Sequence, residues 1–575
     1  MRRPSRAGLS MVLALCAGIP LTAQTLESIG KEKPFSISGG LSFHQVFYSS
    51  SGIAARRDPY RYIGSGSVNL ALYGWHVPLT FTVANRSTTF SQPFNRYSVH
   101  PTWKWITAHA GYTSVSFSPY TVNGHTFLGG AVELEPKGNW KFSALCGRFL
   151  KAVQPDTTAG KRPAAFERMG YGLKATYGRG GNSIDLIVFQ AADRASSVRM
   201  LPDSLEITPQ QNLVMSVAGG KTVFKHFLLK AELAATAITK DTRAGKTDHS
   251  HPLAQTPMIF QPRLSSAYYH AFKTSFDYRK EAWALGFAYE RIDPGYRTLG
   301  AYYFNNDLEN ITLNSSAALM QGKLNVAGST GIQHDNLDRS KISTMRRMVG
   351  SLNLGYMPSQ KLNLSAAYSG FQTFTNIRSR FETMNQLTPY ENIDTLNFTQ
   401  ISRSASLSGT YTLRAGEHRR QNINVHVAWQ DAADGQGDVK QNSGTRFYNI
   451  SAGYALALLP VNMNIAVSFN TTIHEGPSMP LRMMGPTASL SRSFFQRKFR
   501  TTLTSAYNHA YSNGVNVNVV FNTRWNGVLT VRNKHNINIS AVMVKRITPS
   551  DGGGKSFTEF TATVGYAYSF GKTNF

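Results

Sequence analysis

The chain has 575 residues, and its 60 Lys+Arg against 32 Asp+Glu give a formal charge of +28. Only 16% of the residues are charged, whereas 11% are aromatic and 48 are glycine. This aromatic content is too high for a disordered basic protein. Beyond the N-terminus no apolar run reaches the roughly 18 residues of a membrane-spanning helix, which excludes a helical membrane protein. What remains is a large β protein rich in glycine and aromatic residues.

Residues 1–23 have the pattern of a secretory signal peptide. Three arginines lie within the first six residues, an apolar stretch follows, and Ala23 supplies a small residue for cleavage. The apolar stretch of about 13 residues is too short to cross roughly 30 Å of hydrocarbon as a helix. We therefore expect residues 24–35 to form a short N-terminal periplasmic segment and residues 36–575 to form the body of the protein. Cys146 is then the one remaining cysteine, so no intramolecular disulfide is expected.

From residue 36 onward the dominant pattern is an alternation of apolar and polar residues, which predicts β-strands. The last segment is the clearest case. Thr561, Thr563 and Gly565 share a small, mostly polar face. The opposite face is suited to lipid and carries Phe560, Ala562, Val564, Tyr566, Tyr568 and Phe570.

Strand pairs of this kind recur as hairpins with short turns, and much longer connections separate one hairpin from the next. We expect these long connections at about 151–167, 193–211, 239–266, 294–306, 373–399, 431–445 and 546–557. A transmembrane β-barrel shows this asymmetry, with tight periplasmic turns and long extracellular loops. A soluble sandwich or propeller has no reason to keep its long connections on one side. The prediction is therefore an all-β fold, a single large antiparallel transmembrane barrel of about 22 to 26 strands.

The signal peptide, the alternating pattern and the aromatic final strand resemble outer-membrane β-barrel proteins of Gram-negative bacteria. Two aromatic segments, at 117–120 and 302–307, are similar to stretches of large Bacteroidota barrels. The resemblance implies an outer-membrane location. It also implies that the final strand is read by the outer-membrane assembly machinery. Residues 571–575 extend beyond Phe570, so either Phe570 or Phe575 could be the residue that is recognised.

A barrel of this size needs something in its lumen, because 16–18 strands already enclose an aqueous channel. TonB-dependent transporters resemble the chain in barrel length, but they carry a plug domain before the barrel, and residues 24–35 leave no room for one. Inward loops or a partner protein must then restrict the lumen. Two segments rich in aromatic residues, 113–127 and 294–310, are candidate inward loops. The alternative is that both are strand extensions that project above the membrane.

Several polar residues lie opposite the apolar set in the predicted strands, so we expect them to face the lumen. Asparagine is frequent among them, which predicts a hydrated, hydrogen-bonding wall. Generic polar filling and a specific binding track both fit this pattern. The candidate lumen-facing residues are Lys174, Lys273, Asp277, Asn363, His426 and Asn464.

The excess positive charge concentrates at strand ends and turns. Such cations would meet anionic lipid headgroups or lipopolysaccharide phosphates, and they could also favour the passage of anions. Docking of a periplasmic or surface lipoprotein is a further possibility. No basic stripe or fold signature points to nucleic acid. The candidate rim or partner contacts are Arg414, Arg419, Arg420, Arg497 and Lys498.

The candidate catalytic and cofactor-binding motifs in the sequence each lack a required residue. Residues 218–222 resemble the end of a phosphate-binding loop, but the required earlier glycine is Met215. His474 and Glu475 lack a second histidine at the zinc-protease spacing, and no G-x-S-x-G elbow occurs. The cluster of Asp248, His249 and His251 is typical of a solvated loop. We therefore predict no enzyme activity, no cofactor and no metal site.

Three functions follow from this reading. The first is an outer-membrane channel or translocon whose lumen is restricted by inward loops or a partner. The second is a structural or assembly barrel that docks lipoproteins. The third is a hydrolase with its active site on the rim.

Overall fold

The computed structural model describes residues 35–85, 96–155, 164–179, 181–198, 207–247, 253, 259–340, 346–370, 400–434, 445–476, 480–549 and 554–571. The predicted signal peptide and nearly all of the segment at 24–35 lie outside these ranges, as does the cluster of Asp248, His249 and His251.

The described residues form strands along the whole chain. Their bounds are β1 Phe35–Ser51, β2 Tyr60–Leu72, β3 Trp75–Ala84, β4 Arg96–Val99, β5 Thr102–Trp103, β6 Ile106–Ser114, β7 Val122–Asn123, β8 Thr126–Leu134, β9 Trp140–Leu150, β10 Glu167–Arg179, β11 Asn182–Arg194, β12 Gln211–Val223, β13 Phe227–Thr239, β14 Ser266–Lys280, β15 Trp283–Ile292, β16 Gly300–Ala301, β17 Leu308–Leu319, β18 Leu324–His334, β19 Arg346–Ser359, β20 Leu362–Ser369, β21 Gln400–Ala415, β22 Arg419–Asp434, β23 Thr445–Leu458, β24 Met463–Glu475, β25 Leu481–Phe494, β26 Phe499–Ser512, β27 Val515–Val531, β28 His535–Ile547 and β29 Phe557–Phe570.

These strands close into one antiparallel barrel of 26 strands. Each wall strand pairs with the next along the chain, and β1 pairs with β29 from Gly39↔Phe570 to Ser51↔Thr558, which closes the ring. β4 and β5 count as one strand that is interrupted at Pro101, whose ring nitrogen cannot donate a ladder hydrogen bond. β7 and β16 lie outside the wall. The all-β prediction is confirmed, with the strand number at the upper end of the expected range.

The described ranges also contain two three-residue 3-10 turns, Ala195–Ser197 and Met320–Gly322. Within the described ranges no helix has the length and apolar composition needed to cross a membrane.

The connections alternate in length, as the sequence predicts. On the side of the barrel where β1 begins and β29 ends, the turns have two to five residues. Most connections on the opposite side have eight to thirty residues. The exceptions are the five-residue connection at 476–480 and the two-residue turn Asn513–Gly514, whose two residues have positive φ, 50° and 80°. Asn-Gly is the preferred pair for such a tight hairpin, so this connection stays short on the long-loop side.

The two faces of the wall differ in chemistry. On β10 the side chains of Tyr171, Leu173 and Tyr177 are 51%, 64% and 49% exposed, while Gly172 and Lys174 lie on the other face. In a closed barrel the face that exposes large apolar side chains suits lipid, so the polar face lines the lumen. β29 confirms the predicted alternation, because Phe560, Val564 and Tyr566 are exposed whereas Thr561 and Thr563 are buried.

Placing a charge on the outer face should be costly. We expect Leu173→Arg to lower the free energy of unfolding in lipid vesicles by about 2–4 kcal/mol, because the guanidinium would enter the hydrocarbon. Urea titration followed by tryptophan fluorescence measures this change. The matched control Ser408→Arg, on the inner face of β21, should change stability little. Equal losses in the two variants would contradict the assignment of the faces.

Candidate functional site: two segments against the inner face

The site is built from two connections on the long-loop side of the barrel. Inner segment 1 comprises residues 115–125, between β6 and β8, and inner segment 2 comprises residues 293–307, between β15 and β17. β7 and β16 join them by a short parallel bridge in which Val122 faces Gly300. These segments include the two aromatic stretches at 117–120 and 302–307 on which the narrower sequence resemblance rests.

Hydrogen bonds between the segments hold them together as one unit, called here the inserted pair. The Tyr296 hydroxyl donates to the Tyr120 carbonyl at 2.9 Å, and the Thr298 hydroxyl donates to the Thr121 carbonyl at 2.6 Å. Gly300 allows this close approach, since a Cβ there would lie 2.6 Å from the Thr121 carbonyl oxygen. The two segments are therefore positioned by each other as well as by the wall.

The inserted pair is covered by apolar contacts with the inner face of the wall. Tyr120, Val122 and Tyr296 are at most 1% exposed. Burial of side chains of this size stabilises by about 1.5–3 kcal/mol each. They belong to a buried cluster that also contains Val115, Phe117, Phe127, Ala131, Leu145, Phe149, Ile187, Phe189, Ala191, Val214, Ala234, Ala271, Ile292 and Leu299. The two segments that the sequence singled out as inward loops thus lie against the inner face, and they are not strand extensions.

The Phe117 ring reaches the wall because Gly172 has no side chain. A Cβ at Gly172 would lie 2.9 Å from Cε2 of Phe117 and 3.0 Å from Cγ of Leu145. Next to it, the Lys174 ammonium donates to the Phe117 carbonyl at 3.2 Å. One short stretch of β10 therefore supplies both the space and a polar anchor for inner segment 1.

Inner segment 2 is anchored by two polar residues that are 0% exposed, Asn212 on β12 and Thr236 on β13. The Leu299 N–H donates to Oδ1 of Asn212 at 3.0 Å. Nδ2 of Asn212 donates to the Thr236 hydroxyl at 2.7 Å, which in turn donates to the Arg297 carbonyl at 2.9 Å. Since unpaired polar groups are costly in a buried site, this network fixes the path of the segment.

Below the inserted pair, on the side of the short turns, charged residues line the inner face from β10 to β15. Lys174 pairs with Asp185 at 3.0 Å, and Lys273 pairs with Glu290 at 3.6 Å. Glu290 also accepts a hydrogen bond from the Tyr120 hydroxyl. Asp277 lies nearer the short turn on β14. We call the remaining group the charged belt, and it consists of Lys174, Asp185, Lys230, Glu232, Lys273 and Glu290.

The belt and the inserted pair influence each other electrostatically. Burial raises the pKa of the Tyr120 hydroxyl, and the nearby carboxylate of Glu290 raises it further. Burial also raises the pKa of Tyr296, with a second contribution from Glu232. Both hydroxyls therefore stay protonated and act as hydrogen-bond donors at the foot of the inserted pair.

The six candidate lumen residues alternate along their strands with the apolar residues of the outer face, which places them on the inner face. Lys174, Lys273 and Asp277 belong to the charged sector, β10 to β15. Asn363 on β20, His426 on β22 and Asn464 on β24 belong to another sector of the wall. There the inner face is lined mainly by amides and hydroxyls, including Ser365, Ser406, Ser408, Asn424, Asn449, Ser451, Ser468, Thr487 and Ser489.

The five candidate rim residues come together on the short-turn side of the barrel. Arg414, Arg419 and Arg420 flank the turn at 416–418, and Arg497 and Lys498 lie in the turn after β25. The turn between β23 and β24 lies between these two, because Leu459 donates to the His418 carbonyl and Arg497 donates to the Asn462 side chain at 3.2 Å. Three neighbouring turns therefore form one basic stretch of the rim.

Sequence reasoning missed the residues that anchor the inserted pair, Asn212 and Thr236, and the acidic partners in the charged belt. Two of those acidic residues could have been predicted from the sequence. Pairing the strands of each hairpin from its turn places Asp185 near Lys174 and Glu290 opposite Lys273. Within the described ranges, no group of three His, Cys, Asp or Glu side chains is arranged to hold a metal ion.

His125, at the end of inner segment 1, should make the packing of the inserted pair sensitive to pH. Its ring is 3% exposed and stacks on Tyr302 with ring centroids 3.9 Å apart, and its Nδ1–H donates to the Thr126 carbonyl at 2.9 Å. Burial lowers the pKa of His125 to about 4, and the nearby Arg168 acts in the same direction. Neutral His125 therefore favours the packed state above pH 6.5, and this stabilisation is lost as the pH falls towards about 4.

At pH 5 the expected local loss is about 2 kcal/mol. Amide hydrogen exchange in residues 115–125, compared between pH 7.5 and pH 5 after correction for intrinsic rates, measures it. His125→Phe keeps an aromatic ring against Tyr302 but cannot be protonated, so its protection should not depend on pH in this range. An equal loss of protection in His125→Phe would assign the effect to other groups.

No family model matches the chain, and no curated protein matches it. Among solved structures, the chain is similar to the FrpB iron transporter from Neisseria meningitidis, with 10% identity over 94% of this chain and 82% of that one and a TM-score of 0.39. It is also similar to the P pilus usher (PapC) translocation pore, with 10% identity over 93% and 99% of the two chains and a TM-score of 0.39. It is similar as well to OccAB2 of Acinetobacter baumannii, with 10% identity over 68% of this chain and 100% of that one and a TM-score of 0.29. Likenesses at this level say nothing about the cargo or mechanism of this chain.

Proposed function

We propose that this chain is an outer-membrane channel or translocon whose lumen is narrowed on one side by the inserted pair. The observation that carries the proposal is the closed 26-strand wall with an apolar outer face and a polar inner face. A wall of this kind is suited to lipid outside and water inside. In this proposal the inserted pair takes the place of a separate plug domain, and the proposed transport is not TonB-dependent in the standard sense.

The proposed mechanism is passive selection. The inserted pair covers the charged sector of the wall, where β10 to β15 contact it through Lys174, Asn212 and Glu290. Solutes would then pass along the sector lined by amides and hydroxyls. The basic rim raises the local concentration of anions at the short-turn mouth, which favours anions over cations at low ionic strength.

The proposed setting is the outer membrane of a Gram-negative bacterium, and the aromatic segments within the inserted pair suit a Bacteroidota barrel. Outer-membrane lipid and lipopolysaccharide would contact the outer face and the rims. The assembly machinery would read β29, whose outer face carries Phe560, Val564 and Tyr566. We propose no nucleic-acid partner and no enzymatic role, and a hydrolase on the rim is the least favoured alternative.

The second candidate function is a barrel that docks a periplasmic or surface lipoprotein. The basic stretch formed by three neighbouring turns favours it, because these turns present five cations together. Reversing the charge at Arg414, Arg419 and Arg420 should abolish co-purification of an acidic partner. The same reversal at Arg279 and Lys280, which end β14 beside a separate turn, is the matched control. Unchanged co-purification in the first variant would show that these arginines do not dock the partner, and lipid contact would then be their role.

For the channel, we expect discrete, anion-preferring conductance steps from the purified protein in a planar bilayer. Asn212→Ala should enlarge the steps or add noise to them. Without Asn212 the Leu299 N–H loses its acceptor, at a cost of about 1–3 kcal/mol for an unpaired buried group, and inner segment 2 would leave the wall more often.

Asn139→Ala is the matched control, because Asn139 is exposed in the short turn between β8 and β9, away from the inserted pair and from the sector lined by amides and hydroxyls. Its conductance should equal that of the unaltered protein. Silence from correctly folded protein would overturn the channel proposal and favour the docking barrel. Identical steps in Asn212→Ala and the unaltered protein would show that the inserted pair does not limit conduction.

A further inference from the structure

The charged belt contains a gap in its pattern of ion pairs. Lys174 pairs with Asp185, and Lys273 pairs with Glu290. Lys230 and Glu232 form no ion pair among the residues that the structure describes. They lie two positions apart on β13, so their side chains point to the same face, about 7 Å apart along the strand.

The register explains why these two residues are left over. Lys230 lies between Gly220 on β12 and Ser275 on β14, neither of which carries a charge. Glu232 lies opposite Lys273, but the Lys273 ammonium is engaged by Glu290 from the other side. Glu232 accepts only the Ser216 hydroxyl, at 2.9 Å, which leaves its carboxylate with unused acceptor capacity.

Both side chains line a cavity of about 290 Å³ in the inner face of the wall. Its remaining lining is small, because Gly220, Ala218 and Ser183 leave the wall open at this point. Asp185 and Lys273 contribute charge at the edges. Ligand sites typically measure about 300–1,000 Å³, so this cavity suits a molecule of the smallest class.

We propose that this cavity binds a small zwitterion, an amino acid or a dipeptide with a free ammonium and a free carboxylate. The ligand ammonium is held by the Glu232 carboxylate, and the ligand carboxylate is held by the Lys230 ammonium. Such charge-assisted contacts would give Lys230 and Glu232 each an ionic partner. A ligand with one charge would form only one of the two charge-assisted contacts, which makes binding selective for the zwitterion.

The site lies on the wall and does not require the barrel to conduct. The test is therefore a direct binding measurement, isothermal titration of the full chain in detergent micelles with L-alanyl-L-alanine. We expect saturable binding. N-acetylated dialanine and dialanine amide, each lacking one charge, should bind at least tenfold more weakly.

Two variants test the assigned residues. Lys230→Met and Glu232→Gln should each weaken dialanine binding at least tenfold. Their matched controls are Lys221→Met, whose side chain points to the other face of β12, and Glu281→Gln, in the turn between β14 and β15. Both controls should keep the affinity of the unaltered protein. The heat-modifiable gel mobility of each variant verifies that the barrel is folded.

Absence of binding by correctly folded protein would overturn the proposal. Equal affinity for N-acetylated dialanine would also overturn it, since the cavity would then be a simple anion site. Retained affinity for dialanine in Lys230→Met or Glu232→Gln would show that the substituted residue is not part of the binding site. A silent barrel that binds dialanine would refute the channel alone, and a conducting barrel that does not bind it would refute the zwitterion site alone.

Discussion

The structure depends on the pairing of every wall strand with two neighbours. In hydrocarbon an unpaired backbone N–H or C=O costs several kcal/mol, so a sheet can cross a membrane only if it has no free edge. The pairing of β1 with β29 removes the last two edges. Closure in turn creates the two faces, since alternate side chains must point outward or inward. The lumen and its polar lining are consequences of this one constraint.

A closed wall of 26 strands encloses more space than its own side chains can fill. Here the chain places two of its connections against part of that space. They are held by the same means as a protein core, with buried aromatic rings and polar groups that find partners. Gly172 and Gly300 show how closely the fit is made, because a Cβ at either position would collide with the packed segments. Inner segments 1 and 2 are therefore part of the fold of the barrel.

Much of the architecture could be predicted because the signals are local. Alternation identifies strands, turn residues identify hairpins, and aromatic residues in long connections indicate segments that do not face solvent. The Asn513–Gly514 turn was also a local signal, but it lies on the side where long loops were expected. Asn212 and Leu299 could not be paired in advance. They are 87 positions apart, and their contact exists only once inner segment 2 lies against the wall.

The charged sector of the lumen wall is also the sector that the inserted pair contacts. The inserted pair lies over the sector where charged side chains occur in close pairs, and these charges also supply its anchors, through Lys174 and Glu290. A charge that is partly covered must find a partner, so the register between neighbouring strands sets which residues are neutralised. Lys230 is exposed and lies in register between Gly220 and Ser275, and it forms no ion pair among the residues that the structure describes. The strand register that attaches the inserted pair to the wall therefore also places Lys230 and Glu232 at the cavity that we propose as the zwitterion site.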